Sequence, residues 1–200
     1  MNIIFATNNK HKISEVQTIL GDKYTVVSPK QLGFEGEIPE EEPTLEGNAL
    51  QKARFIHNKF KLPCFADDTG LEVKALNGAP GVYSARYAGE NKNSEDNIVK
   101  LLKELSDKDN RDARFRCVIA YIDNSGLEHL FEGIVNGKIL FEKQGDEGFG
   151  YDPVFSPEGF CISFAQMSQI EKNMISHRGR AVSKFVDYLI KDSVFFKKAH

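Results

Sequence analysis

Two adjacent carboxylates follow a short apolar run, and this pattern carries the clearest chemical signal in the sequence. Residues 63–66 predict a buried strand, and Asp67, Asp68, Thr69 and Gly70 follow it directly. Two carboxylates at a strand's end could hold Mg²⁺ together with substrate phosphate oxygens. Crowding would raise the pKa of one carboxyl, which suits a general base. An Asp-rich turn explains the four residues equally well, so both interpretations stay open.

A polar loop separates the first predicted strand from the first predicted helix. Residues 2–6 predict the strand and residues 12–20 the helix, and between them lie Thr7, Asn8, Asn9, Lys10, His11 and Lys12. Amides and the positive end of a helix dipole bind phosphate at such loops. The alternative is an Asn-rich helix cap with solvated lysines. Neither a P-loop motif nor G-x-G-x-x-G is present.

A lysine lies on or beside the apolar stripe of the next predicted helix. Thr44 caps this helix, which runs to about Phe60, and Lys52 falls at the stripe's spacing. Such a side chain either extends to solvent or points at a buried anion. The acidic residues just before the helix, Glu40–Glu42, are either a solvated loop or the source of a metal ligand.

Two later loops could recognise a nucleobase. Phe149 and Tyr151 lie in the glycine-rich segment 145–153, where they could stack on a base, although one of them could instead fill the core. His177 and Arg178 lie between two predicted helices and are either ligands or capping residues. Together with the carboxylates, the polar loop and Lys52, these residues indicate a metal-assisted nucleotide site.

The elements that must position these residues alternate between strand and helix, which indicates an α/β fold. A helix is predicted over 94–105, and a hairpin over 114–122 and 127–135 makes the sheet mixed. Asn136-Gly137 predicts a second hairpin turn into residues 138–142. A capping box of Ser168 and Glu171 begins one further helix, and another follows Gly179.

Composition excludes several classes of protein. The 200 residues carry 26 Lys and Arg against 29 Asp and Glu, a net charge of −3, so we expect no nucleic-acid partner. Three scattered cysteines without C-x-x-C spacing argue against a zinc site and favour a reducing compartment. No signal peptide or membrane-length apolar run is present, so we expect a cytoplasmic protein that does not span a membrane.

The combined motifs resemble those of the inosine triphosphate pyrophosphatase family, and the bacterial dITP/XTP pyrophosphatase branch is the most similar. The resemblance runs from Thr7 to about Lys191. Its motifs are T-x-N-x-x-K from Thr7, N-A-x-x-K-A from Asn48, A-D-D-[ST]-G-L from Ala66, G-A-P-G-x-Y-S-A-R-Y from Gly78, G-F-G-Y-D-P from Gly148, and S-H-R-G from Ser176.

The resemblance implies a role for each candidate residue. Asp68 would be the catalytic base and a Mg²⁺ ligand, and a glutamate before the second helix would complete the metal site. Alignment back from Asn48 favours Glu40, with Glu41 left open. The substrate-binding residues implied for the triphosphate are Thr7, Asn8, Asn9, Lys10, His11, Lys12 and Lys52, with Thr69 also touching substrate. Those implied for the base and sugar are Phe149, Gly150, Tyr151, Asp152, Lys172, His177 and Arg178.

The resemblance also implies a fold, an activity and a partner. The expected fold is an elongated mixed β-sheet flanked by helices, a single domain over residues 1–200 with a nucleotide cleft between two lobes. The expected activity is Mg²⁺-dependent hydrolysis of ITP, dITP and XTP to the monophosphate and pyrophosphate. A homodimer is expected.

Two other functions stay open at this point. One is a pyrophosphatase for modified pyrimidine nucleotides, as in the similarly folded septum-inhibitor family, which the G-F-G-Y-D-P and S-H-R-G motifs disfavour. The other is a non-catalytic nucleotide-binding module. Asp67, Asp68 and Lys52 disfavour it, because binding a polyanion needs no carboxylate pair.

Overall fold

Strands and helices alternate through the first half of the chain, as the sequence predicts. The computed structural model describes residues 2–198, and the side chains of residues 2–191. Within that part the strands are β1 (Asn2–Phe5), β2 (Thr25–Val27), β3 (Cys64–Val73), β4 (Pro80–Gly81), β5 (Asp112–Ile122), β6 (Glu128–Ile139) and β7 (Phe155–Pro157). The α-helices are α1 (Lys10–Leu20), α2 (Leu45–Phe60), α3 (Ser94–Glu104), α4 (Gln169–Ile175) and α5 (His177–Lys198).

All seven strands form one mixed sheet in the order β2-β1-β3-β5-β6-β7, with β4 paired to β3. The strands β1, β2 and β3 are parallel, whereas β3, β5, β6 and β7 pair antiparallel. The predicted mixed α/β fold with flanking helices is confirmed. No helix in the described residues is both long and apolar enough to cross a membrane.

Three apolar clusters hold the helices against the sheet. One cluster packs α1 and α5 on one face, around Phe65 and Phe185, and another packs α2 on the opposite face, around Ala66 and Ile56. The third lies towards the other end of β3 and β5, around Leu71. The middle of β3, which carries the carboxylates, therefore lies where all three clusters meet.

The prediction that the strand ends before Asp67 is wrong, and so is the alternative that residues 67–70 form a turn. Strand β3 continues to Val73, and each of its ten residues is paired with a residue of β5. Long antiparallel pairing provides a backbone partner for every residue, so it outweighs the local turn preference of Asp and Gly.

The predicted turn at Asn136-Gly137 is also wrong. Both residues lie inside β6, opposite Arg114 and Ala113 of β5. A Cβ atom on Gly137 would lie 2.3 Å from the carbonyl oxygen of Ser156 and 2.6 Å from the ring of Phe155. Glycine is therefore present for close packing of β7 and not for a turn.

The last helix begins earlier than predicted. Helix α5 starts at His177, before Gly179, so His177 and Arg178 belong to its first turn. The start of α5 packs closely on β6, and Gly133 of β6 makes this possible. A Cβ atom at residue 133 would lie 2.0 Å from the carbonyl oxygen of His177. The side chains of His177 and Arg178 are thereby fixed by a helix packed on the sheet.

Two substitutions in β6 should separate close packing from turn formation. Gly137→Ala should lower the free energy of unfolding by about 1–3 kcal/mol, because the added methyl overpacks the contact with β7. Asn136→Thr should change it by less than about 0.5 kcal/mol, because residue 136 is exposed and Thr suits a strand. Urea unfolding at pH 7 measures both, and a strongly destabilising Asn136→Thr would contradict the strand assignment.

Candidate active site

A cleft of about 500 Å³ gathers most of the residues singled out from the sequence. Its lining includes Thr7, Asn8, Asn9, Lys12, Glu40, Lys52, Asp68, Thr69, Phe149, Gly150, Tyr151, Asp152, Lys172, His177 and Arg178. Lys10, His11 and Glu41 are outside the lining. A larger groove of about 870 Å³, bordered by β5, β6 and β7, contains none of the candidate residues.

Asp67 and Asp68 point to opposite faces of the sheet because they are neighbours in a strand. Asp67 faces α1 and α5, where it meets Lys12 and Arg178. Asp68 faces α2, where it meets Lys52. The two carboxylates therefore have separate surroundings and different chemistry.

Asp67 is a fully ion-paired buried carboxylate. Its Oδ1 accepts a hydrogen bond of 2.8 Å from Lys12 Nζ, and its Oδ2 accepts bonds of 3.1 Å from Arg178 Nε and Nη2. Burial favours the neutral acid, but the charges of Lys12 and Arg178 outweigh burial and hold the pKa of Asp67 well below its ordinary value. Asp67 is therefore ionised at neutral pH.

Asp68 has the opposite shift. Its Oδ1 accepts from Lys52 Nζ at 3.2 Å and its Oδ2 accepts from Asn48 Nδ2 at 3.1 Å. Burial raises the pKa of Asp68 above its ordinary value, and the charges of Lys52 and Lys12 only partly offset that effect. Neighbouring titratable groups with opposed pKa shifts are typical of acid–base sites.

Lys52 points at buried anions and does not extend to solvent. Its Nζ donates to Glu40 Oε1 at 2.5 Å as well as to Asp68, so it joins the two carboxylates. The neighbouring Glu41 is exposed, and its backbone N–H donates to Gln51 Oε1. Of the two glutamates that the sequence left open, Glu40 is the one beside Asp68.

The carboxyl oxygens of Glu40 and Asp68 fit a cation that arrives with its own oxygen ligands. No group of three His, Cys, Asp or Glu side chains in the described part of the chain could form a complete metal cage. Mg²⁺ commonly binds one or two carboxylates and completes its octahedron with water and substrate phosphates. Two carboxylates at the edge of an open cleft match that donor set.

The loop before α1 combines a helix cap with polar side chains facing the cleft. Asn9 Oδ1 caps α1 by accepting from the backbone N–H groups of His11 at 2.9 Å and Lys12 at 3.3 Å. The cap therefore uses amides that would otherwise bind an anion. The loop residues that line the cleft are Thr7, Asn8, Asn9 and Lys12.

An aromatic ring surrounded by cations forms the other end of the cleft. Phe149 stacks on His11 with 5.3 Å between ring centroids, and Lys172 Nζ lies 4.8 Å from the Phe149 centroid. Lys172 donates to Asp152 Oδ2 at 2.7 Å, and the same oxygen accepts the backbone N–H of Phe149 at 2.8 Å. The ring is thereby held by its own loop.

His177 and Tyr151 contribute differently to this end of the cleft. Burial and the nearby charges of Arg178 and Lys172 lower the pKa of His177 well below its usual range, so the ring is neutral. It stacks on Phe115 at 4.6 Å, and its buried Nδ1 has no hydrogen-bond partner among the described residues. Tyr151 is buried in the third core cluster and donates its hydroxyl to the carbonyl oxygen of Ser84 at 2.9 Å.

Sequence reasoning missed Glu15, which links the cations of this region. The buried Glu15 on α1 accepts from Lys172 at 2.6 Å and also pairs with Arg178. Burial would raise its pKa, but the charges of Arg178 and Lys172 lower it below the ordinary value. A signal was present, because Glu15 lies four residues before the apolar Ile19, on the inward side of the predicted helix.

Known proteins with similar sequences cover almost the whole chain. The model of the Ham1 family matches residues 3–188. A dITP/XTP pyrophosphatase of Flavobacterium psychrophilum is 50% identical over 188 residues, 94% of this chain and 98% of the relative. A protein of the same name from Porphyromonas gingivalis is 54% identical over 189 residues, 94% of this chain and 97% of the relative.

Solved structures are similar over the same length. The Staphylococcus aureus Ham1 protein superposes with a TM-score of 0.87 and 40% identity, over 96% of this chain and 100% of its own. A HAM1 protein from Coxiella burnetii gives a TM-score of 0.87 and 36% identity, over 96% and 99%. The family resemblance predicted from the motifs is thereby confirmed.

Neutralising Asp67 and neutralising Asp68 should affect stability differently. Asp67→Asn should lower the free energy of unfolding by about 3–5 kcal/mol, because it leaves buried cations without a carboxylate. Asp68→Asn should leave stability unchanged or slightly higher, because Lys52 keeps Glu40 and a group with a raised pKa no longer has to be buried as an anion. Urea unfolding without nucleotide measures both variants.

The Asp67 effect should also depend on pH with a definite sign. A carboxyl whose folded-state pKa is lowered stabilises the fold above its unfolded pKa, near 3.8, and loses that contribution as the pH falls towards the folded value. The stability difference between wild type and Asp67→Asn should therefore be largest near neutral pH and shrink below about pH 4. A difference that stays constant into acid would contradict the ion-pair assignment.

Proposed function

The chain belongs to the Ham1 family, and we propose from this membership and from the cleft that it hydrolyses the non-standard purine nucleoside triphosphates ITP, dITP and XTP. The products would be the monophosphate and pyrophosphate, so the enzyme would remove these nucleotides from the nucleotide pool. Curated relatives that are about half identical to this chain are named dITP/XTP pyrophosphatases, which supports this substrate class.

One observation carries the chemistry, namely the raised pKa of Asp68 beside the ionised Asp67. A carboxylate with a raised pKa accepts a proton more readily than an ordinary one, while its neighbour stays charged and holds Lys12 and Arg178. We assign Asp68 as the general base, which takes a proton from the water that attacks the α-phosphorus. Asn48 and Lys52 orient its two oxygens.

The phosphate chain would lie along the polar loop and Lys52. Thr7, Asn8 and Asn9 supply side-chain donors, and Lys12 and Lys52 supply positive charge that offsets charge developing on the leaving pyrophosphate. Thr69, which accepts from Arg178 at 3.2 Å, lies beside the base on the same strand. Lys10 and His11 would act less directly, His11 through its stack on Phe149.

Glu40 and Asp68 would hold Mg²⁺ together with the substrate phosphates. When bound, the ion would neutralise charge on the phosphate oxygens and on the leaving group. Lys52 lies between these two carboxylates and orients both before the substrate arrives. Its ammonium lowers the pKa of Glu40 against the effect of burial and partly offsets the burial that raises the pKa of Asp68.

The base and sugar would occupy the aromatic end of the cleft. Phe149 offers a stacking face, and the glycine at 150 and the aspartate at 152 shape its loop. Lys172, His177 and Arg178 would line the purine edge, where a 6-oxo group is an acceptor and a 6-amino group is a donor. Arg178 already donates to Glu15, Asp67 and Thr69. Its main contribution would therefore be to fix the side of the cleft that faces the purine edge.

The remaining proposals rest on the family resemblance and, for the location, on the three scattered cysteines that favour a reducing compartment. We infer a single domain over residues 1–200, with two lobes around the cleft, a cytoplasmic location and a homodimer. Size-exclusion chromatography with light scattering tests the dimer, which a single-chain mass at micromolar concentration would exclude.

A panel of nucleotides should establish both the reaction and its substrate class. With Mg²⁺, ITP, dITP and XTP should release pyrophosphate at comparable kcat/KM, and ATP should react about 10- to 100-fold less well because its 6-amino group leaves a buried donor unpaired. GTP and modified pyrimidine nucleotides belong in the same panel. Release of orthophosphate would remove the pyrophosphohydrolase proposal, and no turnover of any nucleotide would favour a binding module.

Replacing the proposed base should separate catalysis from binding. Asp68→Asn should lower kcat by about 10²- to 10⁴-fold while leaving the affinity for dITP largely intact, because an amide cannot accept the proton. In wild type, kcat/KM should fall as the pH falls through the raised pKa of Asp68, since the base must be ionised. A near-normal rate for Asp68→Asn with an inactive but folded Asp67→Asn would mean that the two roles are reversed.

A further inference from the structure

The cations of the cleft differ in whether a carboxylate already neutralises them. Four cations with a proposed role line the cleft, and each has a carboxylate oxygen within 3.1 Å: Lys12, Lys52, Lys172 and Arg178. Their positive charge is therefore largely balanced before any substrate binds. A triphosphate, which carries several negative charges, needs positive charge beyond these pairs.

Arg86 provides such a charge. It lines the same cleft, yet no carboxylate within the described residues lies within ion-pair distance of its guanidinium. Its guanidinium lies over the ring of Tyr83, with 5.2 Å between the guanidinium carbon and the ring centroid. Lys92, on the same connection between β4 and α3, also lines the cleft and lies only loosely beside Glu40, at 3.9 Å.

The backbone that carries Arg86 is anchored by two elements that line the cleft, helix α3 and the loop of Tyr151. The buried Asn97 of α3 donates to the carbonyl oxygen of Ala85 at 3.0 Å. Tyr151, from the proposed base-binding loop, donates to the carbonyl oxygen of Ser84 at 2.9 Å. The backbone of residues 84–86 is thereby fixed relative to the rest of the site. The Arg86 side chain extends from this fixed backbone, and its guanidinium stays free to bind.

We propose that Arg86 binds the phosphates that leave as pyrophosphate, with Lys92 assisting. This inference rests on the proposed function. Lys92 lies at the phosphate end of the cleft. Its ammonium is near Glu40, and Glu40 and the proposed base Asp68 are both paired with Lys52. A guanidinium suits this position because its planar fork can donate two parallel N–H bonds to phosphate oxygens, which an ammonium cannot do.

Binding of separate substrate fragments tests the proposal without requiring turnover. Calorimetric titrations with Mg²⁺ would use inorganic tripolyphosphate for the phosphate chain and dIMP for the base, sugar and α-phosphate. Arg86→Ala should weaken tripolyphosphate binding by about 10- to 100-fold, as expected for charge-assisted hydrogen bonds, and leave dIMP binding unchanged. Arg86→Lys should give an intermediate loss, because charge is kept and the fork is removed.

Arg54→Ala is the matched control, because it removes the same charge from an exposed ion pair with Glu128 outside the cleft. It should bind both fragments as wild type does. Equal losses of tripolyphosphate and dIMP binding in Arg86→Ala would indicate a structural role and overturn the proposal, as would no loss, or a wild type that binds no tripolyphosphate. The proposed function is tested separately by pyrophosphate release from wild type, so the two can fail independently.

Discussion

The alternation of side chains along β3 is the constraint on which the site depends. Because successive residues of a strand face opposite sides of the sheet, Asp67 and Asp68 cannot share one environment. Asp67 meets two cations and stays ionised, whereas Asp68 is buried beside a lysine that also serves Glu40. A turn at these residues, as local preference suggests, would have placed both carboxylates in water with ordinary pKa values. The strand therefore creates the chemical difference between them.

A chain of buried ion pairs extends from Asp67 to the aromatic end of the cleft. Arg178 joins Asp67 to Glu15, and Glu15 joins Arg178 to Lys172, which in turn pairs with Asp152. Buried pairs often add little net stability, but removing one partner leaves a costly buried charge. We conclude that this chain chiefly fixes geometry, holding helices α1, α4 and α5 in register with the sheet so that the two ends of the cleft keep a constant separation.

Local signals in the sequence predicted most helices and the hairpin of β5 and β6 correctly, but they did not predict how far β3 and β6 extend. Thr44 and Ser168 cap helices as predicted, because a cap depends on residues within one turn of it. Asn136-Gly137 was misassigned because its environment is set by strands distant in sequence, and residues 67–70 were misassigned for the same reason. Glu15 was missed because its partners lie more than 150 positions away in the chain.

Most of the residues that the motifs singled out line one cleft, but the sequence did not predict how they pair. Alignment to the family motif favoured Glu40 but left Glu41 open, and the position of the Lys52 ammonium beside Glu40 distinguishes them in the structure. The same pairing balances much of the positive charge of the lysines in the cleft. An anion entering without a metal meets Glu40 and Asp68 as well as the cations that they neutralise, whereas a metal-bound triphosphate brings the positive charge that these carboxylates attract. If the cleft binds a nucleotide as proposed, this balance of charge would favour the metal complex of the nucleotide over a bare polyanion.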